Sequence, residues 1–184
     1  AYTAGAGVAR KIAHIIADVI YERLLGEKGY FNSRIAYIAR SGPRAPQITR
    51  LSIMDQDAAN SHYLSGGHWL TLTPRFSPVS EQLAFMSYAN NRPRVYVLNL
   101  ATGRQQLLGD FDGISFAPRF APDGRTVVMS VTRGGGSDIY PVDLASRAKR
   151  QLTSSGSLDP SPCYSPHLLY PYHSPQQYNG TDVR

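Results

Sequence analysis

Apolar residues at Val8, Ile12, Ile15, Ile16, Val19, Ile20 and Leu24 keep the i, i+3, i+4 spacing of one helix face and predict a helix over 7–25. Gly26 follows the last of them, where a left-handed cap ends such a helix. His14 borders the stripe and reads as a boundary residue. Beyond GEKGYFNS the period changes. Runs rich in Val, Ile, Leu, Tyr and Phe, set off by Gly, Pro, Asn, Asp and Ser, predict strands at 34–39, 48–54, 62–64, 70–76, 83–88 and 95–100. Further strands are expected at 105–109, 115–120, 126–131, 138–144 and 150–153. ATGR (101–104), PDGR (122–125) and RGGGS (133–137) have the composition of tight hairpin turns.

The strands repeat. PRFSP at 74–78, PRFAP at 118–122 and PCYSP at 162–166 are 44 residues apart. VYVLNLA (95–101) and IYPVDLA (139–145) keep the same period, and LSIMD (51–55) places Asp55 in phase with Asn99 and Asp143. Four short strands in just over 40 residues is the signature of a β-propeller blade, in which each small sheet buries both faces against its neighbours. With the strands of a blade lettered a to d and PRFSP in strand a, the chain reads helix, b-c-d, a-b-c-d, a-b-c-d, a, tail. Such an arc does not close, since rings need about four to eight blades. The fold class is therefore mainly β: a partial β-propeller of four-stranded antiparallel, WD40-like blades preceded by one α-helix. The expected division is 1–30 as a helical segment of its own, 31–166 as partial propeller and 167–184 as an atypical tail, where prolines at 171 and 175 should break any strand.

Composition narrows the function. Hydrophobic residues make up 42% of 184, enough for a real core. The net charge of +6 comes from scattered arginines with no block of like charge, so nucleic acid is not expected as a partner. Cys163 is the only cysteine, which excludes an intrachain disulfide and any cysteine-based zinc site. The longest apolar run is far short of a membrane span. AYTAGAGVARK carries neither an initiating Met nor a signal-peptide pattern, so the chain is read as beginning inside a longer protein.

Catalytic motifs are missing. Gly113-Ile114-Ser115-Phe116-Ala117 approaches GxSxG but lacks its second glycine and a following helix. His167 and His173 stand six apart on a proline-broken segment, poor geometry for a metal. Asp55, Asp57, Asp110, Asp112 and Asp123 lie in loops or strand ends and read as turn caps. NGT at 179–181 matches a glycosylation sequon. No enzyme, cofactor or metal is assigned.

Propellers present edges and loops. The loops entering strand a converge on the mouth of the central channel, and Trp69 and Phe116 stand beside it. The runs AHIIADVIYERLLGEKGYFNSRIAYIARSG, MDQDAANSHYLS, LTPRFSP, FMSYANNRPRVYVLNLATGRQ, APRFAPDG and DIYPVDLASR resemble, over roughly residues 8–166, the TolB family of periplasmic six-bladed propellers of the Tol-Pal system. The resemblance implies a non-enzymatic periplasmic protein that binds the peptidoglycan-associated lipoprotein Pal through its channel face. It also implies that 1–30 is the end of a truncated N-terminal α/β domain, and a role in outer-membrane invagination during division and in envelope integrity. Carried over by position, the partner-binding candidates are Thr71, Leu72, Thr73, Arg75, Ile114, Ser115, Phe116, Ala117, Arg119, Leu158 and Asp159. TolA contact is not expected of this chain, because the family's extreme N-terminal segment is not in it. Two other readings stay open: the propeller of a prolyl-oligopeptidase or tricorn-like peptidase, and a structural repeat fragment without a partner. Whichever reading holds, an unpaired blade face at 150–153 or at 162–165 should make the isolated chain self-associate.

Overall fold

The computed structural model describes residues 8–43, 47–154, 156–159, 161–165 and 171–172; His167, His173 and the 179–181 sequon lie outside them. Helix α1 spans Ala9–Leu25 and ends where Gly26, at φ 73°, donates its N–H to Glu22 O at 2.8 Å. None of its residues is buried, and Ile16, Val19, Ile20 and Leu24 are exposed. The amphipathic stripe therefore forms but is covered only in part: Ile12 and Ile15 are half-buried, and the Tyr21 ring meets those of Tyr30 (5.8 Å) and Phe31 (5.9 Å) edge-on. Polar contacts complete the docking. Asp57 accepts bonds from Arg10 and from His14 Nε2 (3.0 Å), and Asp18 accepts the N–H groups of Phe31 (2.7 Å) and Asn32 (3.1 Å). His14 is thus a tether, more than a boundary residue. Partial desolvation pushes the Asp57 carboxyl upward, but the Ala59 N–H and the Arg10 guanidinium outweigh it and hold the group below its ordinary value.

The first sheet comprises β1 (Arg34–Ser41), β2 (Ile48–Asp55) and β3 (His62–Tyr63), ordered β1-β2-β3. The second is β4 (Thr71–Phe76), β5 (Gln82–Ser87), β6 (Arg94–Asn99) and β7 (Gln105–Leu107), ordered β4-β5-β6-β7. The third is β8 (Ile114–Phe120), β9 (Thr126–Arg133) and β10 (Gly136–Asp143). All pairings are antiparallel. These are blades b-c-d, a-b-c-d and a-b-c of the expected series.

The fourth strand of the third sheet is the main departure. Residues 149–153 occupy its place, with one bridge at Val142–Lys149 and bonds from Arg150 N to Pro141 O (3.2 Å) and Leu152 N to Ile139 O (2.8 Å), yet no strand forms. The cause is Pro141. It stands where Val97 stands one repeat earlier, in a hydrogen-bonded pair position opposite residue 150, and has no N–H to return. Ile139 N–H goes to Thr153 Oγ1 at 3.0 Å, as its counterpart Val95 one repeat earlier gives its N–H to Ser115 Oγ at 3.0 Å. A second departure runs the other way. β11 (Cys163–Tyr164) pairs with β12 (Pro171–Tyr172), so Pro171 opens a short strand, a position proline tolerates, instead of breaking one.

Packing follows the alternation of β5. Leu83 and Phe85 face the first sheet with Leu51 and Leu98, whereas Ala84 faces the third with Val95, Val97, Val127, Met129, Val131 and Val142. Each core lies between two sheets and belongs wholly to neither. The turn carboxylates divide. Asn99 Oδ1 accepts Ala101 N and Thr102 N, Asp143 Oδ1 accepts Ala145 N and Ser146 N, and Asp123 Oδ1 accepts Arg125 N. All three are caps, as expected of Asp123, and the bonds from Ser146 hold Asp143 below its ordinary value. Asp110 instead pairs with Arg94 (2.5 Å), and Asp57 does both, accepting Ala59 N (3.2 Å) and pairing with α1.

Both innermost strands carry a bulge at one phase. The β4–β5 register shifts between Leu72 and Arg75, the β8–β9 register between Phe116 and Arg119. Thr73 and Ala117 sit inside those shifts at φ 50°, a left-handed conformation that a β-branched residue resists. Thr73→Gly is expected to raise the unfolding free energy by about 1 kcal/mol, read by denaturant titration. A loss of stability would mean that the threonine side chain holds the bulge.

Candidate partner-binding face

The residues expected at the channel mouth come from β4, from β8 and from the segment before β11, and the structure sorts them by phase. Thr71, Ser115 and Asp159 are buried and 44 residues apart. They join sheets. Thr71 N donates to Thr49 Oγ1 (3.4 Å), Ser115 N to Pro93 O (3.3 Å) and Asp159 N to Ser137 O (3.2 Å), and 49, 93 and 137 keep the same period. Ser115 Oγ also takes the N–H of Val95 (3.0 Å), and Ser130 Oγ donates to Asp159 O (2.7 Å). Burial and these bonds commit the three to joints between sheets and leave little of them for a partner to touch. Ser115 in particular is a buried acceptor, not an accessible nucleophile.

One residue earlier the picture reverses. Leu70, Ile114 and Leu158 are 41%, 45% and 53% exposed, and Trp69 stands beside them at 44%. Three aliphatic side chains repeat at one level around the inner strands with their surfaces in solvent. Leu70 lies outside the positions expected from the family resemblance, and the 44-residue phase through Ile114 and Leu158 is the signal in the sequence that marks it. Phe116 and Leu72 are half-buried, Thr73 is exposed, and Ala117 is half-buried at its bulge.

Deeper along the strands stand Arg75 and Arg119, again one repeat apart. Ser77 N donates to Gln82 O (2.9 Å) and Arg75 pairs with Ala84, so by antiparallel alternation the backbone polar groups of Pro74 point away from β5, toward the axis. Ala121 N to Thr126 O (2.8 Å) and Arg119 opposite Val128 set the same geometry for Pro118. Proline recurs there because that edge has no strand to receive an N–H. Arg75 Nη1 donates to Pro74 O and Arg119 Nη1 to Pro118 O, each at 3.0 Å, which places both guanidiniums at the channel edge. Burial, reinforced by the like charge of Arg75, holds Arg119 below its ordinary value, with Cys163 opposing. Among the described residues no group of three or more His, Cys, Asp or Glu side chains could hold a metal.

The family described as "PD40: TolB beta propeller domain" matches residues 21–172. The chain belongs to the TolB propeller family. A Tol-Pal system protein TolB from Gluconobacter oxydans is 74% identical over 155 residues, covering 84% of this chain and 34% of that protein. One from Rickettsia bellii is 50% identical over 127 residues, covering 68% of this chain and 29% of that protein. The crystal structure of TolB from Acinetobacter baumannii superposes with a TM-score of 0.78 at 30% identity, over 89% of this chain and 41% of its own. The chain thus spans about a third of the TolB relatives it matches in sequence. Their names record a system and no reaction. The blades, the bulged inner strands and the aliphatic row are therefore described as parts of a TolB-type propeller.

Proposed function

We propose that the protein is a non-enzymatic, periplasmic component of the Tol-Pal system whose propeller binds Pal. Through that contact it would support outer-membrane invagination in division and envelope integrity. The observation that carries the reading is the exposed aliphatic row Leu70, Ile114 and Leu158, beside Trp69, at the mouth of a TolB-type channel. Solvated aliphatic side chains repeated at one level are what a partner buries. Leu72 and Phe116, half-buried below the rim, supply the wall of that contact; Thr73 and Ala117 set its curvature through their bulges. No cofactor, metal or nucleic acid enters the reading, and contact with TolA is not assigned to this chain.

The test is titration of the immobilised chain with the periplasmic domain of Pal. Saturable binding is expected, and Leu70→Ser and Ile114→Ser should each weaken it about tenfold, the cost of one buried anchor. Absence of saturable binding, both to the chain and to a full-length relative carrying these residues, overturns the assignment.

A further inference from the structure

We propose that Arg75 and Arg119 form an oxyanion-binding site at the channel edge, able to hold a carboxylate or a phosphate-type group. Both guanidiniums are brought to that edge by the same local device, a bond to the carbonyl of the preceding proline on the unpaired side of the innermost strand. That bond engages one donor of a planar fork that carries five, and the fork geometry matches a pair of anion oxygens. Among the described residues neither arginine pairs with a carboxylate; the ion pairs there involve Arg10, His14, Arg34 and Arg94. β4 and β8 lie against one another, so the two like charges stand at the same level of neighbouring strands without a counter-charge among the described residues, and burial together with the like charge of Arg75 lowers the proton affinity of Arg119. An anion between the two forks would relieve that repulsion and use the free donors together. The third repeat position is filled by Cys163, which is exposed.

The site does not rest on the Pal reading. It lies five residues along the strand from Leu70 and Ile114, at most about 17 Å below the rim at about 3.3 Å per residue. A partner covering the mouth could be absent and the site still fill, or the reverse.

Cys163 supplies the probe, being the only thiol in the chain and exposed. Its rate with the dianionic disulfide dithiobis(nitrobenzoate) is compared with its rate with neutral iodoacetamide; both reagents consume thiolate, so the ratio reports local attraction for an anion. The Arg75→Gln, Arg119→Gln double variant is expected to lower this ratio about tenfold, and the Arg75→Lys, Arg119→Lys pair to keep most of it. An unchanged ratio in a glutamine variant with native circular dichroism overturns the site. Should that variant not fold, the wild-type chain decides by itself. Inorganic phosphate or N-acetylaspartate should slow the dianionic reagent more than sodium chloride does at matched ionic strength, and the anion acting at lower concentration identifies the group that fits. Equal slowing by all three means general screening alone, and the proposal fails.

Discussion

Met129→Ala lowers the unfolding free energy of the chain by about 3 kcal/mol, seen as a lower urea midpoint with an unchanged slope. Met129 is fully buried and packs in the core between the second and third sheets, alongside Val127, Val131, Ala84 and Val95. Truncation removes three side-chain heavy atoms from a site walled by strands on both sides, so the cavity cannot collapse without separating two wedges. Because neither sheet has a core of its own, the loss should be felt by both, and unfolding should remain a single transition. Leu24→Ala, on the solvent-facing stripe of α1, is the control and should change stability by less than about 0.5 kcal/mol. A Met129→Ala variant that melts in two steps would show that the sheets are independently stable.

The second large effect concerns assembly. The chain is expected to elute from size exclusion as species that grow with concentration, and Ile35→Lys to shift it toward the monomer. β1 pairs with β2 alone, so the eight-residue strand Arg34–Ser41 has one edge without a partner among the described strands, and Ile35 is exposed on it. An unpaired edge of that length with an exposed aliphatic residue is a template for a second copy. A lysine there costs little in a monomer and must be desolvated in a paired edge. A sharp monomer peak at every concentration, with cooperative melting, would contradict the expectation.

Much of the fold was legible because it repeats. One period ties the PRFSP, PRFAP and PCYSP runs to the VYVLNL and IYPVDL strands, and two landmarks in phase fix both the strand count and the inner strand. The missing fourth strand of the third sheet was also written in the chain, at Pro141, but a strand-rich composition outweighed the lost donor. The candidate site was legible in position and not in exposure. Thr71, Ser115 and Asp159 have polar side chains typical of solvent, and only the structure places them inside joints between sheets. Leu70 has the side chain typical of a core, and the structure leaves it wet. Composition ranks residue types by average burial, whereas at the axis of a wheel of wedges the level along the strand decides. The pairing of Asp57 with Arg10 and His14 links segments more than 40 residues apart, and no local pattern announces it.

The joints at 49/71, 93/115 and 137/159 are interchangeable in kind: each spans 22 residues and sets an inner-strand amide against an oxygen of the preceding sheet. An unequal crossover that duplicated or excised one 44-residue unit would therefore splice a known surface to its usual mate. Growth of such an arc by gene duplication asks for no new interface, only for another copy of one that already fits.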